Sequence, residues 1–209
     1  DTLMVTERQR MKRWRTTWLL NVNTKRARIW YERNEKDRYN APGSPLYKTL
    51  DNGYRVLRQE GESIYFVGAG STPTGDRPFL DLRHMRTNSV ERLFRSSKDK
   101  YQSFVGFAGD TNQLMIRSES VTEVPNYHLA TLGDTIKAAE GEATRSYSIT
   151  PITQFEDPTP ELRQITKRMV QYEREDGVPL SFQLYLPPGY KEGTRVPTVL
   201  YAYPLEYSN

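Results

Sequence analysis

Few residues in this chain could carry catalysis. Cysteine is absent, which excludes disulfides, thiolate nucleophiles and cysteine-based zinc sites. The two histidines, His84 and His128, lie in alternating segments, and the only acidic residue near ligand spacing is Asp81, three positions before His84. In a strand these two positions face opposite sides of the sheet. We therefore expect no metal, no cofactor and no catalytic base at either histidine.

An activated serine is also missing. A serine nucleophile at a strand-to-helix turn is marked by Gly-x-Ser-x-Gly. The nearest string is Gly68-Ala-Gly-Ser-Thr-Pro, in which Pro73 stands where the motif needs its second glycine. We interpret it as a loop and expect the chain alone to have no acyl-transfer activity, because it contains no nucleophile-base pair.

The elements that would position any site are short strands separated by turn signals. Residues 18–23 and 28–33 predict one hairpin, and residues 46–50 and 55–59, on either side of Asp51-Asn-Gly53, predict a second. Two three-stranded runs follow, at 63–68, 78–83 and 90–94 and at 113–118, 127–131 and 135–139. No segment before about residue 158 keeps an apolar period of 3.6, so we predict no helix there.

The two runs start 50 residues apart, at Ser63 and Gln113. That offset is close to the roughly 40 to 50 residues of a four-stranded propeller blade. It favours a partial β-propeller, although a β-sandwich also produces short strands at such spacing.

The C-terminal part has a different pattern. Proline-rich residues 157–161 lead to Leu162, Ile165 and Met169, whose spacing permits two helical turns or an irregular connector. Residues 169–186 then predict a hairpin about Asp176-Gly177, ended by Pro187-Pro-Gly. The apolar run at 196–203 predicts a strand buried on both faces. We place the domain boundary near 160, giving domains 1–160 and 161–209.

Residues 184–190, Leu-Tyr-Leu-Pro-Pro-Gly-Tyr, and 196–204, Val-Pro-Thr-Val-Leu-Tyr-Ala-Tyr-Pro, resemble the start of the hydrolase domain in the prolyl oligopeptidase family of serine peptidases. The similarity is greatest to the glutamyl endopeptidase branch, whose propeller is resembled by residues 75–80, Gly-Asp-Arg-Pro-Phe-Leu. The resemblance implies a mainly β fold, with a partial β-propeller of four-stranded antiparallel blades followed by the first strands of an α/β-hydrolase domain.

By the same resemblance, the parent protein hydrolyses peptides by acyl transfer, and its cleavage after Glu or Asp rests on the branch alone. Its Ser, Asp and His would lie beyond the position of Asn209, which makes this chain an inactive fragment. The compartment is not fixed by the sequence, and the resemblance is compatible with a periplasmic or secreted parent.

The resemblance gives one residue a chemical role. Tyr203 aligns with a tyrosine whose hydroxyl donates to the developing oxyanion, and it aligns better than Tyr201 because it ends the apolar run. The following Pro204-Leu-Glu departs from the Gly-Gly or Ala-Gly-Pro usual in the family. The residues that bind the substrate side chain are not identified, but Arg77 and Arg86 have the right charge for an acidic one.

Alternatives from other classes remain open. Arg8, Arg10, Lys12, Arg13 and Arg15 surround Met11 and Trp14 and, with a net charge of +4, could form a nucleic-acid surface. Glu7 interrupts this cluster, and alternating arginines are typical of a solvated strand face, so we expect no nucleic-acid partner.

A protein-binding propeller without catalysis is the second alternative. It would account for residues 1–155 but not for the C-terminal hairpin and apolar run. No stretch approaches the roughly 18 apolar residues of a membrane helix. The expected partner is a peptide substrate of the parent, and the fragment itself should self-associate through its uncovered sheet edges and faces.

Overall fold

The computed structural model describes residues 2–137 and 143–202, which are almost entirely β-structure, as the sequence predicts. The first three strands form an antiparallel sheet, here called the first sheet: β1 (Thr2–Gln9), β2 (Trp14–Asn21) and β3 (Arg26–Asn34). The predicted hairpin around residues 23–26 is confirmed, because β2 and β3 pair from Trp14↔Asn34 to Asn21↔Arg26.

Short strands connect the first sheet to the next: β4 (Ser44–Pro45), β5 (Tyr47–Thr49), β6 (Arg55–Leu57) and β7 (Gln59–Glu60). The middle meander and its side turn comprise β8 (Ser63–Gly68), β9 (Ser71–Thr72), β10 (Gly75–Asp76), β11 (Phe79–His84) and β12 (Val90–Arg95). Strand β11 lies between β8 and β12, and β4 and β7 pair with the outer edge of β8. The predicted three-stranded run and the β5–β6 hairpin are both confirmed.

The last meander is a four-stranded antiparallel unit: β13 (Tyr101–Phe107), β14 (Gln113–Glu119), β15 (Asn126–Lys137) and β16 (Ala143–Pro151). One parallel bridge, Arg92↔Thr144, joins it to the middle meander. The prediction of two strands at 127–131 and 135–139 is wrong for the described residues, since β15 continues through Gly133 with a register shift between Leu132 and Thr135. A bulge absorbs the Gly-Asp dipeptide that resembles a turn in the sequence.

The middle meander is covered on both faces. Ile64 and Phe66 of β8 pack with Leu19 and Trp30 of the first sheet, whereas Tyr65 packs into a cluster with residues of the last meander. Alternate residues of one strand point to opposite faces, so a single strand serves two cores. Phe66 is 0% exposed and its ring meets that of Trp30 edge-on at 5.6 Å. The middle and last meanders belong to one curled nine-stranded sheet. One core therefore lies between this sheet and the first sheet, and the other lies inside the curl.

The C-terminal part is a 3-10 helix (Pro160–Gln164) and one hairpin, β17 (Thr166–Glu173) with β18 (Pro179–Leu186). The predicted hairpin is confirmed, and Gly177 takes the positive φ of 81° that its turn requires. The helical alternative for Leu162 to Met169 is realised only in its first residues, because Met169 lies in β17.

The predicted buried strand at 196–203 is wrong where the structure describes it. Residues 196–202 are neither helix nor strand, and Val199 and Leu200 are 94% and 87% exposed. An apolar run forms a strand only where partner strands satisfy its backbone groups, and no strand among the described residues pairs with it.

Candidate functional site

A concave surface lined by Asp81, Arg83, Arg92 and Arg95 lies on one face of β11 and β12. Three cross-strand neighbours share that face: Phe79 with Arg95, Asp81 with Arg92, and Arg83 with Val90. A bulge makes this possible. Because the register shifts between Leu80 and Asp81, an extra residue in β12 brings positions 92 and 95 to the same side, which a regular strand would place on opposite sides.

We call the resulting concavity the arginine cleft. It has a volume of about 440 Å³, and its second wall is the loop at residues 39–42 together with Gly70 and Ser71. Gly43 and Gly70 have φ of 80° and 63°, and a Cβ at either would clash with the backbone carbonyl of Val67 or Arg77. These two glycines let both loops approach the sheet closely, so the cleft is built by backbone that other residues could not adopt.

Asp81 and Arg92 form an ion pair in the cleft. Arg92 Nε and Nη2 donate to the two carboxylate oxygens of Asp81 at 3.0 and 3.2 Å. The side chain of Arg92 is only 18% exposed and that of Asp81 only 6%. The Arg92 guanidinium lies 4.8 Å from the centre of the Phe79 ring. A bidentate, largely desolvated pair of this kind holds both groups in one geometry.

Arg83 has no acidic partner among its hydrogen bonds in the described structure. Its Nη1 donates to Asn88 Oδ1 at 2.7 Å, and its guanidinium carbon lies 5.4 and 5.9 Å from the ring centres of Tyr31 and Phe66. Its Nε is buried and donates to no acceptor there. Burial lowers the pKa of Arg83, yet an arginine remains protonated at neutral pH. The charge of Asp81, two positions earlier on the same face of β11, acts in the opposite direction. The cleft thus holds a buried cation that hydrogen-bonds to a neutral amide and lies near a carboxylate that Arg92 already engages.

The predicted candidates for binding an acidic side chain lie elsewhere. Arg86 donates from Nη2 to both carboxylate oxygens of Glu62, at 2.6 and 2.7 Å, which raises the pKa of Arg86 and engages its charge. Arg77 is half-buried rather than exposed, and its Nε donates to the Ser96 carbonyl at 3.0 Å. Sequence reasoning missed Arg83, Arg92 and Arg95, since only the bulge in β12 brings them together.

Within residues 2–137 and 143–202, no catalytic serine-histidine pair is formed. Ser71 lies in the short strand β9 rather than in the predicted loop, and its Oγ donates to Asp76 Oδ1 of β10 at 2.8 Å. His84 Nδ1 accepts from the backbone N–H groups of Arg86 and Thr87, so its Nε2 faces Glu62, 3.4 Å away. No cluster of metal-ligating side chains occurs in that part of the chain.

Tyr203 lies outside the described residues. Residues 194–198 and the β17–β18 hairpin border an open concavity of about 650 Å³, lined among others by Arg168, Leu184 and Tyr190. Tyr201, the other tyrosine of the apolar run, is 88% exposed.

The basic N-terminal cluster is tied to acidic side chains. Arg8 Nε lies 2.6 Å from Glu35 Oε1, and Arg15 Nε donates to the same oxygen. The indole N–H of Trp14 donates to Glu32 at 3.2 Å. Trp14, the aromatic residue of that cluster, is therefore hydrogen-bonded within the first sheet.

No protein-family model matches the chain. Two curated relatives, both named "Probable glutamyl endopeptidase, chloroplastic", are similar to it. The protein from Arabidopsis thaliana is 32% identical over 231 aligned residues, which cover 100% of this chain and 23% of the relative. The protein from Oryza sativa subsp. japonica is 34% identical over 209 residues, covering 92% of this chain and 21% of the relative.

The chain thus spans less than a quarter of the length of these relatives. Their names point to a peptidase-related protein. In the described part of the chain, no helix is long and apolar enough to cross a membrane.

Proposed function

We propose that this chain is the β-rich, non-catalytic part of a serine peptidase of the prolyl oligopeptidase family, glutamyl endopeptidase branch, which hydrolyses peptides by acyl transfer after Glu or Asp. The observation that carries the proposal is the similarity to two proteins named as glutamyl endopeptidases, over 100% and 92% of this chain.

Residues 1–160 would be late blades of a propeller that limits access to the catalytic site. Two features support this. The last meander is a four-stranded antiparallel unit, and the first sheet covers one face of the middle meander, as a neighbouring blade would. Further blades would cover the outer faces, where Leu3, Val5 and Ile149 are exposed.

Residues 161–209 would be the start of the hydrolase domain. The hairpin β17–β18 carries large apolar side chains on both faces, including Tyr172, Phe182 and Tyr185, all of them about half-exposed. A sheet of the hydrolase domain would bury them and would also supply partner strands to residues 196–203.

The proposal is tested by peptide hydrolysis with the full-length parent. It should cleave a peptide that contains Glu, cleave its Gln analogue much less, and lose both activities on treatment with a serine-directed inhibitor. Residues 1–209 alone should release nothing above buffer. Turnover by the isolated chain, or inhibitor-resistant turnover by the parent, would contradict the proposal.

Tyr203 would donate its hydroxyl to the oxyanion in the parent. Tyr203→Phe should then lower kcat by roughly 10² to 10³, the usual effect of one lost oxyanion donor, with little change in the thermal midpoint because the ring remains. Tyr201→Phe is the matched control and should spare catalysis. An unchanged kcat in Tyr203→Phe would remove the role.

A protein-binding module without catalysis is the second candidate, because the stack of sheets alone fits it equally well. The downstream coding sequence separates the two: a Gly-x-Ser-x-Gly motif within a hydrolase domain supports the peptidase. We also propose that residues 1–209 alone self-associate through uncovered apolar faces. Light scattering that shows a monomer at all concentrations would contradict this.

A further inference from the structure

The arginine cleft presents arginine side chains to an incoming anion. Its lining residues include Arg83, Arg92 and Arg95 together with Asp81. Asp81 is bonded in bidentate fashion to Arg92, which leaves Arg83 without a carboxylate at hydrogen-bonding distance. A buried charge is costly unless a counter-charge accompanies it, so an anion entering the cleft would gain from Arg83 more than from an exposed arginine.

The geometry also suits a carboxylate on a flexible chain. The buried Nε of Arg83 is a donor without an acceptor in the described structure, and an arginine edge binds carboxylates through parallel N–H groups. The rings of Tyr31 and Phe66 fix the guanidinium from one side. At the rim, the partly exposed Tyr39 and Val90 offer apolar surface to the rest of a peptide.

From these observations we infer that the arginine cleft binds an acidic side chain of a peptide, with Arg83 as its principal donor. None of the residues that line the cleft belongs to the hairpin β17–β18. This inference deepens the proposed function and rests on it for the identity of the peptide as substrate, but the binding itself requires no catalysis. It assigns to the non-catalytic part a preference for acidic peptides.

The test measures binding in the full-length parent after treatment with a serine-directed inhibitor, so that the peptide is not consumed. The probes are a short Gly-Ser peptide containing glutamates and its analogue with Gln at the same positions, each carrying a neutral fluorophore. Fluorescence anisotropy should show that the Glu peptide binds about tenfold more tightly, as expected for one charge-assisted, partly desolvated contact.

Arg83→Gln should reduce this preference to near unity. Arg86→Gln is the matched control, because it removes the same charge from an exposed arginine that is paired with Glu62 outside the cleft. Equal loss in both variants would show that general surface charge attracts the peptide and would overturn the inference.

A second pair of variants leaves the buried arginines intact. Val90 is 44% exposed at the rim, and Val90→Glu places a carboxylate beside the cleft. It should weaken binding of the Glu peptide several-fold through repulsion, whereas Val105→Glu, at a 49% exposed position of β13, should not. If Arg83→Gln does not fold, the comparison of Val90→Glu with Val105→Glu tests whether the peptide binds in the cleft.

If the wild-type parent binds the Glu peptide no better than its Gln analogue, the inference about the arginine cleft is wrong. If the parent binds the Glu peptide through Arg83 but hydrolyses no peptide, the proposed function is wrong and the inference about the cleft stands. If the parent hydrolyses peptides, but Arg83→Gln and Val90→Glu both still bind the Glu peptide more tightly than its Gln analogue, the inference about the cleft is wrong and the proposed function stands.

Discussion

The stacked sheets and the C-terminal hairpin use the same kind of strand but differ in what covers it. In the middle meander, Phe66 is fully buried between sheets, whereas Phe182 in β18 is 48% exposed although its ring meets that of Tyr172 at 5.9 Å. Local pairing is complete in both regions. The difference teaches that strand pairing follows from nearby sequence, whereas stability requires a second layer.

The largest expected effect on stability comes from replacing one phenylalanine by alanine in each of the two regions. Phe66→Ala removes a ring from a closely packed core and should lower the free energy of unfolding by about 3 to 5 kcal/mol. Phe182→Ala should cost about 1 kcal/mol or less in the isolated chain, because the side chain is half in water already. Denaturant unfolding measures both. Equal losses would mean that the hairpin has a core of its own.

A second prediction compares two ion pairs. Asp81→Asn breaks the bidentate pair with Arg92 and removes a carboxylate from beside a largely buried guanidinium, which should cost about 3 kcal/mol. Asp176→Asn removes the exposed pair with Arg174, whose side chains are 58% and 56% exposed, and should change the thermal midpoint little. If Asp81→Asn proves as mild as Asp176→Asn, the cleft is more hydrated than its geometry indicates.

The smallest expected effect is on how the thermal midpoint depends on pH. Hydrogen bonds from Arg8 and Arg15 lower the pKa of Glu35 from 4.5 to about 2. As the pH falls from 4.5 towards 2, the unfolded chain takes up this proton first, so the stabilisation by Glu35 is present above 4.5 and is lost over that range. Glu35→Gln should therefore show a flatter decline of the thermal midpoint between these pH values.

Asp176 is the comparison for this slope. Its pKa is lowered mainly by Arg174, only two positions away. Such a pair can also form in the unfolded chain, so that Asp176→Asn should leave the acid slope nearly unchanged. An identical slope in wild type and Glu35→Gln would contradict the role given to Glu35.

Sequence reasoning succeeded where local signals decide the structure. Asp-Gly at 176–177 fixes its hairpin, and alternating apolar residues locate β8, β11 and β12. Sequence reasoning failed where the structure of a segment depends on pairing with a distant strand. Gly133-Asp134 resembles a turn, but β16 holds it within one bulged strand, and no strand among the described residues holds the apolar run at 196–202.

The arginine cleft was not predictable for the same reason. Arg92 and Arg95 are three positions apart, and an ordinary strand would separate their side chains. The bulge that unites them depends on the pairing of β11 with β12, which the sequence of β12 does not specify. The charges of Arg77 and Arg86 were visible in the sequence, but their partners Ser96 and Glu62 were not.

The most direct test of the account is amide hydrogen exchange on residues 1–209 alone and on the full-length parent. Amides of β8 and β11 should exchange slowly in both, because neighbouring sheets cover them. Amides of β17 and β18 should exchange fast in the isolated chain and slowly in the parent, where the proposed hydrolase domain buries the hairpin. Equally slow exchange of β17 and β18 in both proteins would contradict the account.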